Sequence, residues 1–523
     1  MVKQDEEFIS QAYRLFDEFY RAGAAYREKC RENEKYWAAS EWAEPGEAEE
    51  PQPVTPVLFS TLESVLADLM DSYPEAVLLG EEPQDDDAAA RLTQLVRYVL
   101  KHRHYRKTYR DKCRSALIKG TSVQEVYWDS ELYGGLGDVN VREWDVEAFC
   151  WDPLFADIQQ GRACFKMGFF PESWYERRYP DLYPLMKADG YAYQPAREDF
   201  IRDGEREIML LEYWWREYLP DEQRWRVHMC KLAGGVLLED SRDEHPEGMY
   251  EHGMYPFIVE PLYPISGQPV GRSMVDVMKS LQLYADRLDQ IILKNALTSS
   301  QVKLLVNRGA DLDERALMDG EAELVRGGRI DESAVRWMQT APLAAYVPAY
   351  QQMKLSAIKE ESGQNQISRG EAAGGITAAS AILAMQQAGS KRSRLLIEQL
   401  YDGFEQLVRM IVDVIQENYT EQRVFRLENQ PNGQLFYGGE QMMDFDVNIQ
   451  VQKQTAYTTL YQNELALQLL GAGLIDKPSA LELMSFVGKE QVEARMQRQF
   501  EAAEQAAREA LKQKSNGKGG EKE

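Results

Sequence analysis

The sequence predicts an α+β fold that is mainly helical, and two observations carry this prediction. Residues before 120 and after 271 show apolar side chains at spacings of three and four, which is typical of amphipathic helices. Residues 120–264 instead alternate apolar and polar side chains around glycine turns, which is typical of strands. A chain of 523 residues is long enough for two to four domains with a sizeable core. We therefore expect a β-rich region bracketed by helices.

The composition excludes several classes of protein. The formal net charge is −26, whereas a protein that grips nucleic acid usually displays basic surface, so a conventional DNA binder is disfavoured. Such a charge is compatible with a surface that DNA passes without sticking. The longest apolar runs fall far below the roughly 20 residues that span a bilayer. The chain opens MVKQDEEF, which does not resemble a signal peptide, and we expect a soluble protein of cytosolic origin.

The cysteines indicate neither a disulfide framework nor a zinc site. They are odd in number and scattered, and no CxxC occurs, so buried free thiols are expected and no cofactor is predicted. The five are Cys30, Cys113, Cys150, Cys164 and Cys230.

The N-terminal part reads as three helices. Residues 1–42 predict one long helix with an aromatic face, followed by an exposed linker at 43–56 that is rich in Pro and Glu. A second helix is expected over 57–71, ending before Pro74 because a proline disfavours helix in the residue that precedes it. A third helix is expected over 86–120, opened by acidic residues that suit a helix N-terminus.

The most basic stretch of the chain, KHRHYRKTYR at 101–110, falls inside that third helix. Interleaved cationic and aromatic residues are compatible with a phosphate-facing patch. The favoured alternative is a solvated helix face whose cations pair with neighbouring acids. His102 and His104 are two residues apart and would point in different directions on a helix, so a metal pair is disfavoured.

The middle and the C-terminal third supply the strands. Strand patterns occur in two hairpin-like runs after Gly120 and in four later segments, at 147–157, 208–218, 224–240 and 256–264. Helical signals lie between the first two of these segments. Later, residues 423–439 predict a hairpin with Asn-Gly at the turn, and a further strand is expected at 444–452. Helices are expected at 458–471 and 478–513, and a disordered tail at 514–523.

The stretch around which the chain is organised runs from Gly271 to Tyr419. Its first helix, 273–297, can be capped by Ser273 and has one apolar and one polar face. The apolar face is formed by Met274, Val277, Met278, Leu281, Tyr284, Leu288, Ile291 and Ile292. The polar face is formed by Asp276, Lys279, Gln282, Asp286, Arg287, Asp289, Gln290 and Lys294. After about 45 mixed residues a second helical run begins near Pro348, and GEAAGG at 370–375 precedes a very long helical pattern from Thr377 to Tyr419.

In its order of parts, the chain resembles the portal proteins of tailed double-stranded-DNA bacteriophages over roughly residues 8–490. The segments that carry the resemblance include PVLFSTLESVLADLMDSYPEAVL, LIKGTSVQEVYWD, LLEYWWREY, PFIVEPLYPISGQPVGRSMVDVMKSLQLYADRLDQIILKNAL, GGITAASAILAMQQAG and DFDVNIQVQ. No single segment is diagnostic, but their order and spacing are specific.

The resemblance implies a ring-forming subunit, usually one of twelve, at one vertex of a viral capsid in the virion, assembled in the host cytoplasm. The implied regions are a wing (1–270), a first stem helix (271–297), a clip (298–342), a second stem helix (343–368), a tunnel loop (369–376), a wing-to-crown helix with a β-hairpin part (377–454) and a crown (455–513). Implied partners are the large terminase subunit, the major capsid and scaffolding proteins, head-completion, adaptor or tail proteins, and double-stranded DNA that passes through the channel during packaging and ejection.

Several side chains follow as candidates from this resemblance. In a ring, the apolar stripe of the stem would pack on neighbours, with Leu281, Tyr284, Leu288 and Ile291 at the contact, and the polar face would see the channel. Candidates for facing the channel or the DNA are Lys279, Lys294, Lys354, Lys359, Arg369, Gly370, Glu371, Gly374 and Gly375. For each cation, ordinary ion pairing on the helix surface is the alternative. Clip candidates for motor or adaptor docking are Arg308, Asp311, Arg315, Arg326 and Arg329.

An enzyme is not predicted. GRS at 271–273 lacks the GxSxG pattern, no GxxxxGK[ST] motif occurs, and no acidic pair stands out as a general acid and base. The alternative from another class is a capsid-associated adaptor or scaffolding protein without a DNA channel. The β-rich middle and the two long helices separated by a clip-sized insertion argue against it.

Overall fold

A computed structural model provides the structure of the chain. It describes residues 5–40, 54–80, 86–189, 201–202, 205–300, 304–306, 313, 315, 335–337, 343–363, 391–419, 423–426, 434–437, 445–451, 456–475, 480 and 484. All structural statements below concern these residues. Outside them lie residues 43–53 of the predicted linker, the predicted tunnel loop 369–376 and most of the predicted helix 478–513.

Twelve α-helices occur in the described part of the chain. In chain order they are α1 (Glu6–Ala22), α2 (Ala24–Trp37), α3 (Val57–Asp71), α4 (Asp86–His102), α5 (Tyr105–Lys119), α6 (Glu172–Arg178), α7 (Tyr183–Asp189), α8 (Ser241–Glu244), α9 (Met274–Ser300), α10 (Tyr346–Glu361), α11 (Lys391–Asn418) and α12 (Ala456–Gly471).

The described strands number seventeen. The first nine are β1 (Pro74–Gly80), β2 (Thr121–Asp129), β3 (Asp138–Trp144), β4 (Phe149–Trp151), β5 (Ala163–Pro171), β6 (Ile201–Arg202), β7 (Glu205–Leu219), β8 (Arg224–Ala233) and β9 (Val236–Asp240). The others are β10 (Phe257–Pro261), β11 (Tyr263–Pro264), β12 (Gly271–Arg272), β13 (Leu304–Val306), β14 (Val335–Trp337), β15 (Arg423–Arg426), β16 (Gln434–Tyr437) and β17 (Phe445–Val451). Helices and antiparallel strands together confirm the predicted α+β class.

The largest sheet has six strands in the order β4-β5-β7-β8-β9, with β6 paired to β7. Strand β7 is its centre, since Glu205–Leu219 pairs antiparallel with β5 on one side and with β8 on the other. A smaller sheet has the order β10-β2-β3, and the hairpin predicted at 423–439 is confirmed as the antiparallel pair β15 and β16.

Both faces of the six-stranded sheet are covered by helices. Because successive residues of a strand point to opposite faces, Met209 and Leu211 join one cluster and Ile208 and Leu210 the other. The aromatic face of α1 packs in the first cluster, where the rings of Phe16 and Phe165 lie 5.6 Å apart in an edge-on contact. The second cluster takes buried side chains of α6 and α7. The aromatic pattern predicted for the first helix therefore forms a sheet-to-helix core.

The single helix predicted over residues 1–42 is wrong, because α1 and α2 are separated at Gly23. The Arg27 side chain is buried there, donates to the Tyr20 carbonyl oxygen, and lies 3.8 Å from the centre of the Tyr20 ring. A Cβ atom at position 23 would come within 2.7 Å of Arg27 Nη1. The glycine makes room for this folded-back arginine, and the regular helix is interrupted.

The single helix predicted over residues 86–120 is also wrong. Helix α4 ends at His102 and α5 begins at Tyr105, because His104 adopts the left-handed φ of +52°. Arg103, in the break, forms an ion pair with the buried carboxylate of Asp138. The predicted stop before Pro74 is confirmed, since α3 ends at Asp71.

By its contacts the chain divides into two compact units. The first contains residues 1–67, 110–125 and 143–400, and the second contains residues 68–109, 126–142 and 401–523. In the second unit, β1 pairs antiparallel with β17 from Pro74 opposite Val451 to Gly80 opposite Phe445. The predicted strand at 444–452 thus finds its partner more than 350 residues earlier in the chain.

Candidate assembly surface

The helix α9 begins with a reciprocal cap. The Asp276 N–H donates to Ser273 Oγ at 2.9 Å, and the Ser273 N–H donates to Asp276 Oδ2 at 2.9 Å. Two backbone donors that a helix start leaves without partners are thereby satisfied. The predicted cap at Ser273 is confirmed, and the aspartate three residues on completes it.

Helix α2 holds this helix start in place. The Asn33 side-chain amide lies within hydrogen-bond distance of Ser273 Oγ, of Asp276 Oδ1 and of the Ile118 carbonyl oxygen, and Lys29 Nζ lies 2.6 Å from Asp276 Oδ2. Burial by itself would raise the pKa of Asp276, but the hydrogen bonds from Lys29, the Ser273 N–H and Asn33 outweigh it and lower that pKa. Asp276 is therefore a carboxylate at neutral pH, fixed at the base of α9.

The junction between α5 and β2 approaches the same helix start. Gly120 has a φ of +88°, and a Cβ atom there would lie 2.6 Å from the Gly271 carbonyl oxygen and 2.7 Å from the Ser273 nitrogen. Thr121 Oγ1 accepts from the Gly271 N–H at 3.0 Å. Only a residue without a side chain allows this approach of two backbones.

The predicted polar face of α9 is partly buried within the subunit, so two of its residues cannot face a channel as expected. Gln282 and Asp286 are 1% and 0% exposed. Gln282 Oε1 accepts from the Leu58 N–H at 3.2 Å, and Asp286 Oδ1 accepts from the Thr55 N–H at 3.3 Å. The physical reason is that the start of α3 presents backbone donors that need acceptors, and these two side chains supply them.

Asp289, one turn further along, joins α9 to two other segments. Its Oδ2 accepts from Thr55 Oγ1 at 2.7 Å, and its Oδ1 accepts from the side-chain amide of Gln351 on α10. The two helices of the central stretch are therefore linked by a polar contact midway along α9. The helices predicted at 271–297 and 343–368 are observed as α9 (Met274–Ser300) and α10 (Tyr346–Glu361), and their assignment as stem helices stays a prediction.

An apolar stripe remains on the other side of α9. Val277, Tyr284 and Ile291 follow one another at intervals of seven and are 45%, 59% and 52% exposed. Leu281 and Leu288 lie between them and are half-buried. The resulting spacing of four and three is the repeat with which helices pack along a common seam. We define these five residues as the α9 stripe.

Helix α10 carries a similar set of exposed apolar side chains. Tyr346, Tyr350 and Met353 are 73%, 43% and 54% exposed and follow the same spacing of four and three. Inward-facing Ile358 is fully buried. Large apolar side chains that share one face of a helix and remain exposed in a single subunit mark a protein-protein contact surface.

The predicted channel cations that the structure describes have different environments. Lys279 pairs with Glu32 at 2.6 Å, as the ion-pairing alternative expects, and Lys354 lies 4.9 Å from the centre of the Tyr350 ring. Lys294 is exposed and Lys359 is half-buried. Arg369, Gly370, Glu371, Gly374 and Gly375 lie outside the described residues, and the channel role of all these residues stays a prediction.

The predicted clip contains a short antiparallel pair, β13 with β14, in which Val306 lies opposite Val335. Arg315 is exposed, and its N–H donates to Asp313 Oδ1 at 3.1 Å. Arg308, Asp311, Arg326 and Arg329 lie outside the described residues. Docking roles of the clip residues therefore stay predictions.

The cysteines and the possible metal ligands of the described part of the chain are groups that could support other chemistry. All five cysteines are buried free thiols, as predicted, and burial raises the pKa of Cys30 and of Cys150 to about 12. The described residues include no group of His, Cys, Asp and Glu side chains able to hold a metal ion. Within the same residues, no helix combines the length and the apolar character that a bilayer span requires.

Comparison with known proteins identifies the family of the chain. The family model described as "Phage P22-like portal protein" matches residues 13–518, which is nearly the whole chain. Among curated proteins, none matches it. On the extent of the family match, the chain belongs to the P22-like portal proteins of bacteriophages.

Proposed function

We propose that the protein is a structural portal subunit that assembles into a ring at one vertex of a viral capsid. The ring would form the channel through which the terminase motor packages double-stranded DNA and through which the DNA later leaves. The observation that carries this proposal is the α9 stripe, in which Val277, Tyr284 and Ile291 are about half exposed on a helix whose opposite side is buried in its own subunit.

A second copy of the chain is the occupant that fits this stripe. The stripe repeats at four and three, as does the exposed set on α10, so each helix offers a seam of the kind that another helix fills. Closed cyclic symmetry uses two different faces of every subunit, and two such seams meet that requirement. Membership in the portal family supports the same assembly.

The charge of the chain is compatible with passage of DNA. Each subunit carries a formal charge of −26, and a ring multiplies that charge, so a duplex inside it would experience repulsion rather than adhesion. Cations near the lumen would moderate this repulsion. Lys294, exposed in the last turns of α9, is a candidate.

The regions follow from this assignment. Helices α9 and α10 would be the two stem helices. The segment 298–342 would be the clip, which docks the motor and later the head-completion or tail proteins. Residues 369–376 would be the tunnel loop. The first 270 residues and the segment 377–454 would form the wing and the long helix to the crown, and 455–513 the crown. Capsid and scaffolding proteins would contact the ring at assembly.

Negative-stain electron microscopy combined with native mass measurement of the purified full-length protein tests the proposal. We expect rings with a central hole and a mass near twelve times 60.1 kDa. A compact closed dimer would contradict the proposal and would favour an adaptor or scaffolding protein without a channel. If the protein is monomeric, adding scaffolding protein should produce rings, and failure to do so would also count against it.

A further inference from the structure

The break between α4 and α5 exposes two histidines and two cationic side chains in a protein that is otherwise strongly acidic. His102 ends α4, His104 occupies the left-handed position of the break, and Arg106 and Lys107 stand in the first turn of α5. All four residues are exposed. We define them as the cationic break; they belong to one compact unit of the chain.

The aromatic residues of the same stretch are not part of this surface. Tyr105 and Tyr109 are fully buried, where Tyr109 meets the ring of Tyr73 edge-on at 5.2 Å and Tyr105 stacks on Phe404 at 5.9 Å. Binding of single strands depends on exposed aromatic rings on which bases stack. With Tyr105 and Tyr109 buried, this stretch does not offer the interleaved tyrosine rings to bases but does offer charge to a phosphate backbone, which favours duplex over single strand.

Three described carboxylates, of Asp138, Glu75 and Asp111, are engaged with other cations. Asp138 is paired with Arg103 and also accepts from the Tyr419 hydroxyl, and Glu75 lies 3.7 Å from Arg97. Asp111, four residues after Lys107, lies 3.4 Å from Arg110 and 3.8 Å from Arg114. These acids therefore neutralise other cations.

Within the part of the chain that the structure describes, the Arg106 side chain contacts the Tyr73 ring and forms no ion pair. Its guanidinium carbon lies 5.9 Å from the centre of the Tyr73 ring, a distance at which the ring attracts the cation. A cation held over a ring face keeps its N–H groups free for an anion. Because the side chains of Tyr105 and Tyr109 are buried, they fix the backbone that carries Arg106. Little conformational entropy of this backbone is therefore lost on binding.

From these observations we infer that the cationic break is a binding surface for the phosphate backbone of double-stranded DNA. The inference does not rest on the proposed channel, because a surface of this kind contacts DNA that lies against the protein without passing through a ring. Binding is weak, independent of sequence and strongly dependent on salt, since it consists of phosphate neutralisation against a negative net charge.

Retention of covalently closed circular double-stranded DNA by the full-length protein at low salt tests this inference. A closed circle cannot thread a closed ring, so its binding reports an outer surface. The test variant is Arg106→Glu with Lys107→Glu. The matched control is Arg14→Glu with Lys35→Glu, which changes the net charge equally at two exposed cations on α1 and α2.

We expect the test variant to lose at least about tenfold in affinity, with a slope of log affinity against log salt that is smaller by roughly two. The control should stay within about twofold of the wild type. Equal losses in both variants would reduce the effect to net charge and overturn the inference. Three other results would also overturn the inference. They are unchanged binding of the circular duplex by the test variant, no binding of it by the wild type at low salt, and tighter binding of circular single-stranded DNA than of the circular duplex by the wild type.

Circular dichroism and ring mass check that the test variant folds. Should the charge reversals disturb folding, Arg106→Gln with Lys107→Gln removes the two charges without adding repulsion. That variant should lose about threefold to tenfold in affinity, and wild-type affinity in a folded Gln variant would refute the inference.

Discussion

Gly120 shows how much the start of α9 depends on one residue. Its φ of +88° is left-handed, and a side chain would meet the backbone of Gly271 at 2.6 Å. Gly120→Ala should therefore reduce the free energy of unfolding by more than about 2 kcal/mol, from strain and steric overlap together. Urea unfolding of both proteins measures the difference.

Gly267 provides a matched control, since its φ is +78° and a Cβ atom there would meet nothing within 4 Å. Gly267→Ala should cost only the strain, about 1 kcal/mol. Equal losses at the two positions would show that the approach of Gly120 to Gly271 has no energetic importance.

Asp413 on α11 is a second residue with a large effect on stability. Burial raises its pKa to about 6, and Arg409 only partly opposes this. Between about pH 4 and 6 the folded state holds a proton that the unfolded state has released, so stability falls as the pH rises through this window. Asp413→Asn removes the ionisation.

The Asp413→Asn variant should therefore be more stable than the wild type at pH 7, by about 1–3 kcal/mol. The gain should shrink as the pH falls towards 4, because below about pH 6 the folded state takes up the proton and no longer buries a charge. Urea midpoints at pH 7 and pH 4 measure it. A gain that does not change with pH would contradict the raised pKa.

At the residue scale, the sequence predicted the cap at Ser273 because the signal is local. It did not predict the burial of Gln282 and Asp286, since their polarity indicated solvent. The groups that they satisfy, the N–H groups of Thr55 and Leu58, are more than 220 residues away in the chain. A polar side chain buried for the sake of a distant helix start cannot be distinguished by periodicity from one in water.

At the element scale, the α9 stripe makes the sharpest prediction for assembly. Leu281→Asp and Leu288→Asp should both block rings, but these residues are half-buried and the changes also affect the subunit. Tyr284→Asp with Ile291→Asp places charges on the more exposed positions, so the subunit should fold while ring formation is lost. Native mass measurement and unfolding curves together distinguish the two effects.

A matched control replaces two exposed leucines of the same compact unit, Leu154→Asp with Leu185→Asp. It adds the same charge and removes comparable apolar surface, and its rings should remain. Normal rings from the Tyr284 and Ile291 variant would refute the stem assignment of α9.

The sequence predicted most helices and strands of the described part but not where two helices break. The break at Gly23 makes room for the buried side chain of Arg27, and the break at His104 accompanies the ion pair of Arg103 with Asp138. Both depend on tertiary partners of arginines that look like ordinary helix-surface residues. The pairing of β1 with β17 could not be predicted either, because a strand pattern does not specify the partner strand.

At the scale of the whole molecule, the order of parts allowed the family to be predicted although no single motif did. Portal proteins are in general structural, so the resemblance lay in the succession of segments rather than in a catalytic motif. Comparison with the family model confirmed the family over residues 13–518. The individual side chains that would face a channel stay predictions, since a single subunit does not define a lumen.

The clip assignment makes a prediction about the complete assembly. Deleting residues 310–331 leaves both strands of the pair β13 and β14, in which Leu304–Val306 lies opposite Val335–Trp337. Because the stripes on α9 and α10 lie outside the deletion, rings should still form. Binding of the large terminase subunit to those rings should fall by more than about tenfold, since the proposed docking segment is missing. Removal of residues 514–523 serves as the control and should leave both properties intact. Rings that lack 310–331 and still bind the motor would assign docking to another surface, whereas loss of rings would show that the segment belongs to the assembly contact.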